Sequence, residues 1–206
     1  VRNAMESYTT GNRPSFWIWH GDNAYSTGAD QQYSDYVFGI YPQQFKNIPV
    51  FPCLGNHDYG NTGYLSTMAL STDAPYFDIF SCPTLGESGG VPSGSEKYYS
   101  FDYGNAHFIL LDSYGSYSEV AGNMTTWLRR DLYATRQRWK IVIWHHPPYS
   151  MGTHNSDTEI ELIRMRNNIV PVLEHFKVDL VMNGHSHVYE RSALIKGHLG
   201  NENSFD

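Results

Sequence analysis

Four short stretches of this chain gather side chains that bind cations or move protons. They are Gly21-Asp22-Asn23-Ala24-Tyr25, Gly55-Asn56-His57-Asp58, His145-His146-Pro147-Pro148 and Gly184-His185-Ser186-His187. The first sets a carboxylate and a phenol three residues apart. The second puts an amide oxygen beside an imidazole, both competent ligands for hard or borderline cations. The last two supply imidazoles. Each stretch alone has an ordinary explanation. An Asp after a strand is commonly a turn former, Gly-Asn is good turn chemistry, and one His-x-His is commonplace. Their recurrence behind four separate apolar runs points to chemistry instead, because open α/β sheets bind ligands just past their strand ends.

A mixed oxygen and nitrogen set without a thiolate disfavours a structural zinc site and favours a catalytic two-metal centre. Two ions ~3.5–4 Å apart need a bridging carboxylate and can hold a hydroxide between them for in-line phosphoryl displacement. Asp22 is the natural bridge. On an extended segment His185 and His187 would point to opposite sides, whereas on a loop past a strand end they can reach two neighbouring ions.

The elements that must position these groups follow from apolar spacing. Residues 15–20, 49–54, 140–144 and 178–182 read as buried strands, each running directly into one of the four stretches. Residues 98–102 and 107–111, joined by Tyr103-Gly104-Asn105-Ala106, read as an antiparallel hairpin in which His107 is a satisfied strand histidine. Tyr33, Tyr36, Val37 and Ile40 fall at helical spacing and predict one helix over 31–45, while residues 3–8 read as the tail of another. Asn123-Met124-Thr125, formally a glycosylation acceptor, is expected to start a helix through Trp127, Leu128, Leu132 and Tyr133, with Asn123 as its cap. Asp157 is expected to cap a helix carrying Ile160, Ile163, Val170 and Leu173, which Pro171 kinks or splits. Residues 59–97, rich in Gly, Ser, Pro and Asp, read as a long surface excursion forming one wall of a cleft.

Composition sets the outer bounds. The 206 residues suffice for one α/β domain. A net charge of -7, from 14 basic and 21 acidic residues, excludes a general nucleic-acid-binding surface. No stretch approaches the ~18 apolar residues that span a membrane. Cys53 and Cys82 fit no metal motif; Cys53 reads as a core residue, and a disulfide between the two is open only to an exported protein.

The ordered series Gly-Asp-x-x-Tyr, Gly-Asn-His-Asp, Val142-x-x-His145 and Gly-His-x-His resembles the calcineurin-like metallophosphoesterases. Tyr25 makes the chain similar to their purple acid phosphatase branch in particular. The resemblance covers most of the chain and implies one catalytic domain over residues 1–206, folded as a four-layer α/β/β/α sandwich with metals at the strand ends. It implies that Asp22 bridges both ions and that Tyr25 and His187 bind the first, ferric one. Asn56, His145 and His185 would bind the second, divalent one, which would be zinc, manganese or iron. His57 would contact the phosphate or protonate the leaving group. His154, nine residues past His145, stands where the family often has a substrate-binding histidine. His146 would lie behind the ligands, and His20, His175 and His198 have no place in the motifs.

One departure is evident. The family's Asp-x-Gly or Asp-x-His motif, which supplies another first-metal ligand upstream, has no counterpart, since Glu6 is the only acidic residue before Asp22. Truncation at both ends is the simplest expectation; a degenerate homologue binding one metal or none is the alternative. Three functions stay open: metal-dependent hydrolysis of phosphate monoesters, which is favoured, a phosphodiesterase that includes cyclic nucleotides, and a non-catalytic metal-binding or carbohydrate-associated module. The expected partner is a small phosphorylated substrate, and the resemblance implies a secreted or periplasmic location.

Overall fold

The computed structural model describes residues 2–9, 11, 13–60, 73–114 and 119–204. Two sheets carry the site. The smaller pairs β1 (Trp17–Trp19) in parallel with β2 (Val50–Pro52), Trp17 opposite Val50 and Trp19 opposite Pro52. The larger runs β3 (Tyr99–Tyr103), β4 (Ala106–Leu110), β5 (Trp139–Ile143) and β6 (Leu180–Met182) side by side. β3 and β4 form the expected antiparallel hairpin, with Gly104 in the left-handed region at its turn, and β4, β5 and β6 are parallel.

Alternation along the strands decides the layers, because successive side chains leave opposite faces. Phe108 and Leu110 of β4 enter a core shared with Phe51 of β2 and Ile18 of β1. Phe51 and Phe101 stack across the two sheets with centroids 3.7 Å apart, and Phe16 packs edge-on against both. The Pro52 carbonyl, at the end of β2, accepts the hydroxyls of Tyr76 and Tyr99 at 3.0 and 2.9 Å. Ile109 and Leu111 leave the opposite face of β4 and pack with Trp127, Leu128 and Leu132 of α5 (Asn123–Ala134). The same core takes in Leu173 and Val172 of α7 (Val170–His175). On the outer face of the small sheet, Trp19 packs with Ala24, Tyr33, Val37 and Phe45. The order is therefore helix, sheet, sheet, helix. Among the described residues no helix is long and apolar enough to cross a membrane.

The structure corrects several expectations. The helix expected over 31–45 is two pieces: α2 (Asp30–Gln32) opens into a π-helical turn at Tyr33–Phe38, and α3 (Pro42–Phe45) starts anew at a proline. The Gly39 N–H reaches back five residues to the Ser34 carbonyl, so the 3.6-residue period fails. Tyr33 and Val37 stay buried, but Tyr36 and Ile40 turn outward.

Residues 59–97 are not simply a surface excursion. Their stretch 61–72 lies outside the described residues, but Tyr59, Tyr76 of α4 (Pro75–Ile79) and Cys82 are buried in the inter-sheet core. A two-stranded sheet is too narrow to cover a four-stranded one, and these side chains fill the remainder. Asn123 is not a cap: Gly122 takes that position, and the Thr125 hydroxyl bonds the Glu119 carbonyl at 2.7 Å. Asp157 is not a cap either, because α6 (Ile160–Arg164) starts behind Glu159. Pro171 does split its helix. A π-helical Met165–Ile169 precedes α7, whose first turn holds the proline where its missing N–H costs nothing. Cys53 and Cys82 are buried free thiols rather than a disulfide. The N-terminal helix expected over 3–8 is present as α1 (Arg2–Thr9).

Candidate metal centre

The four candidate loops meet at three glycines, Gly21, Gly55 and Gly184. A Cβ on Gly21 (φ +90°) would stand 2.7 Å from His145 Nδ1 and 2.8 Å from Gly55 N, and one on Gly184 2.9 Å from the His20 carbonyl. A Cβ on Gly55 would overlap Asp22 Oδ1. Asp22 (φ 54°) and His185 (φ 65°) hold left-handed backbone that non-glycine residues rarely adopt, and such strain concentrates at functional sites. Asp58 braces the first two loops. Its carboxylate accepts from Asn23 N at 3.0 Å, Gly55 N at 2.8 Å and Tyr33 Oη at 2.7 Å. Burial pushes its pKa up to about 6, with the Gly55 N–H and Tyr33 hydroxyl opposing.

Asp22 is the hinge of the site. Its Oδ1 accepts the His57 backbone N–H at 2.9 Å, while Oδ2 lies 3.0 Å from Tyr25 Oη and 3.1 Å from His145 Nε2. Tyr25 Oη is in turn 3.0 Å from His187 Nε2, and His145 Nε2 is 3.1 Å from His185 Nδ1. One carboxylate oxygen thus joins a phenol–imidazole pair to an imidazole–imidazole pair. Burial opposes charge on Asp22, but His145 and the His57 N–H bring its pKa down to about 2. Burial and the Asp22 charge push the Tyr25 phenol well up.

The residues fit a cation. His145 Nδ1 lies 2.8 Å from the His20 carbonyl, an acceptor, so Nδ1 carries the proton and Nε2 faces Asp22 Oδ2 and His185 Nδ1. A single proton there can satisfy one of those two partners. A cation satisfies both. His187 Nε2 meets Tyr25 Oη and His185 Nδ1 meets His145 Nε2, so the two imidazoles of the Gly-His-x-His stretch have different partners of Oδ2 as neighbours.

The remaining sequence candidates frame this centre. Asn56 is buried in the turn before His57. The His57 ring lies over the Tyr25 ring with centroids 4.4 Å apart, its Nδ1 2.6 Å from the Ser26 carbonyl and its Nε2 3.9 Å from Asp22 Oδ2. The His154 ring packs on the His185 ring at 3.6 Å. His146 is fully buried behind the ligands with Nδ1 2.8 Å from Ser113 Oγ, and burial and its imidazole neighbours drive its pKa well below 6.5. Burial, His145 and His154 bring His185 down to about 4. His20 contributes its carbonyl; His175 lies in α7 and His198 bonds the Asn201 carbonyl.

Sequence reasoning missed Glu159. Its Oε1 accepts the Asn155 N–H at 2.7 Å, and its Oε2 lies 2.8 Å from His154 Nδ1. Burial opposes its charge, yet the Asn155 N–H and His154 hold the carboxyl below its usual range. The available signal was a carboxylate within one loop of a candidate histidine, at a helix start where acidic residues are ordinary.

A cleft of about 540 Å³ opens on the centre, lined by Trp19, Asp22, Tyr25, His145, His185 and His187. A four-layer sandwich with clustered strand-end ligands defines a class, and the calcineurin-like phosphoesterase family model matches residues 2–189; the chain belongs to that family. Within it the chain is similar to purple acid phosphatases of Arabidopsis thaliana. It is 36% identical to purple acid phosphatase 23 over 149 residues, covering 70% of this chain and 29% of that one. It is 32% identical to purple acid phosphatase 13 over 175 residues, covering 82% and 30%. The solved purple acid phosphatase from yellow lupin (Lupinus luteus) seeds shares the fold with a TM-score of 0.62 at 18% identity, over 88% of this chain and 32% of that one. The chain spans less than a third of the length of these relatives.

Proposed function

We propose that this chain is the catalytic domain of a metal-dependent phosphate-monoester hydrolase with acid phosphatase activity. The carrying observation is the shared Asp22 Oδ2, 3.0 Å from Tyr25 Oη and 3.1 Å from His145 Nε2, which suits one carboxylate between two cations. Asp22 would bridge them; Tyr25 and His187 would hold one, ferric iron, and Asn56, His145 and His185 the other, zinc, manganese or ferrous iron. Bound there, the pair would supply Lewis acidity toward phosphate oxygens and lower the pKa of water.

The chain's own residues do the rest. His57, whose Nδ1 donates to the Ser26 carbonyl, can present Nε2 as a donor to a phosphate oxygen when the ring carries a second proton. His154, with Nδ1 held by Glu159, can carry a second ring proton on Nε2 to the leaving oxygen. As water attacks phosphorus in line, the ester P–O bond breaks and the products are an alcohol and inorganic phosphate. A small phosphorylated substrate and an exported location belong to the same reading.

The test uses the full-length protein with a monoester, a diester and a cyclic nucleotide across pH 4 to 9, alongside elemental analysis. Monoester turnover highest in mild acid, with two metals per chain, is expected. Preference for a diester or cyclic nucleotide would overturn the monoesterase assignment, and sub-stoichiometric metal without turnover would indicate a non-catalytic module. Tyr25→Phe should abolish the visible absorbance of the iron-loaded protein and leave its fold intact.

A further inference from the structure

We propose that Glu159 is a positioning residue that fixes the ring tautomers of His154 and His185 together. Its Oε2 lies 2.8 Å from His154 Nδ1 and 3.6 Å from His185 Nε2, while Oε1 is held by the Asn155 N–H at 2.7 Å. The second contact is longer than a full hydrogen bond, and a shift of about half an ångström closes it. An ionised carboxylate only accepts, so each ring nitrogen facing it carries a proton. The opposite nitrogens are then lone pairs. For His185 that nitrogen is Nδ1, the atom 3.1 Å from His145 Nε2. For His154 it is Nε2.

One carboxylate thereby prepares an imidazole to bind a cation and a second imidazole to receive or deliver a proton beside it. The two rings, packed at 3.6 Å, are locked as a unit. Carboxylate–histidine pairs of this kind commonly hold a ligand's tautomer. The part concerning His185 rests on the metallophosphatase reading, while the His154 tautomer stands on its hydrogen bond to Glu159 alone.

Glu159→Gln is the informative variant, because the Asn155 N–H decides which way the amide points. Its oxygen must face that donor, so its NH₂ faces His154 Nδ1 and forces the proton onto Nε2. Glu159 offers no side-chain cap to its helix, so the variant should fold as the parent does. The experiment takes the full-length protein, metal-free and zinc-loaded, and reads histidine ring ¹⁵N shifts, zinc affinity by chelator competition, and kcat and KM separately.

The parent should show Nδ1–H at His154 and Nε2–H at His185. Glu159→Gln should move the His154 proton to Nε2, weaken zinc binding by about 10–100-fold, and lower kcat more than it raises KM. Glu159→Ala should lose the His154 preference without imposing the opposite one. Unchanged tautomers and zinc affinity in Glu159→Gln would overturn the proposal, as would a cation bound to Glu159 itself. Shifts and affinity are read without turnover, so a protein that hydrolyses no monoester but behaves as stated sinks the proposed function and leaves this inference standing.

Discussion

At the scale of single residues, Asp22 and His154 have separable jobs. Asp22 Oδ2 adjoins the Tyr25–His187 and His145–His185 pairs, so Asp22→Ala removes the group common to the two proposed cation positions. Elemental analysis should then find both metals lost, with activity lost in parallel. Retention of two metals would show that Asp22 is no bridge. Among the described residues, His154 meets the centre through the His185 ring and the Glu159 carboxylate. His154→Ala should keep the metals and slow kcat by ~100-fold or more, the scale of a positioned acid–base group. A normal rate would remove it from the chemistry.

At the scale of elements, loop placement depends on buried anchors away from the metals. Arg166, in the π-helical stretch between α6 and α7, donates to the carbonyls of Ser156 at 2.8 Å and Pro148 at 3.3 Å, and lies 3.5 Å from Asp157. It ties both ends of the loop that carries His154 to the helical layer. Arg166 shares the buried face of this helical stretch with Leu162, Met165 and Ile169. Arg166→Ala should therefore cost about 2–3 kcal/mol, the range for buried hydrogen bonds to a charged group. Urea unfolding checks the stability, and amide exchange should show lost protection over residues 148–157. Protection lost uniformly would mean that Arg166 supports the core rather than this loop.

At the scale of the molecule, buried polar groups inside the sandwich give stability a pH slope. His107 is fully buried in β4 between Asp102, 2.6 Å from Nδ1, and Asp131, 2.8 Å from Nε2. Burial alone would lower its pKa, but Asp131 and Asp102 outweigh it and the shift is upward. Its contribution to stability is full below about 6.5 and is lost as pH rises through the higher folded value. Asp112, buried beside Tyr59 Oη and Tyr114 N, is pushed by burial to about 7, with the Tyr114 N–H and the Lys97 charge opposing. The folded state thus binds a proton that the unfolded state has released, so stability falls as pH rises from about 4 to about 7. Both terms have the same sign. Below about pH 6.5 the depressed imidazoles of His146 and His185 add a slope of the opposite sign, so the metal-free protein should show the falling melting temperature between about pH 6.5 and pH 8, by ~2–4 °C for each kcal/mol lost. Asp112→Asn should flatten the part below pH 7. A melting temperature that rises across this range would contradict both assignments.

The amino-acid order determines what depends on neighbours in the chain. Strand alternation made the hairpin, its turn and the buried face of His107 legible, since side chains two apart share a face whatever lies opposite. The metal-type residues were legible because each loop carries its own donors, in three of the four next to a glycine that the close approach requires. Distance in sequence marks where this legibility ends. Tyr25 meets His187 across 162 residues and His145 meets His20 across 125, and no local period encodes either contact. The outward turn of Tyr36 and Ile40 came from a π-helical widening stabilised by the packing of Tyr33 and Val37. The burial of Tyr59 and Tyr76 came from the width of the sheet they help to cover. Which nitrogen of His145 faces the centre was decided by the His20 carbonyl, because a tautomer depends on the partner that folding places against it.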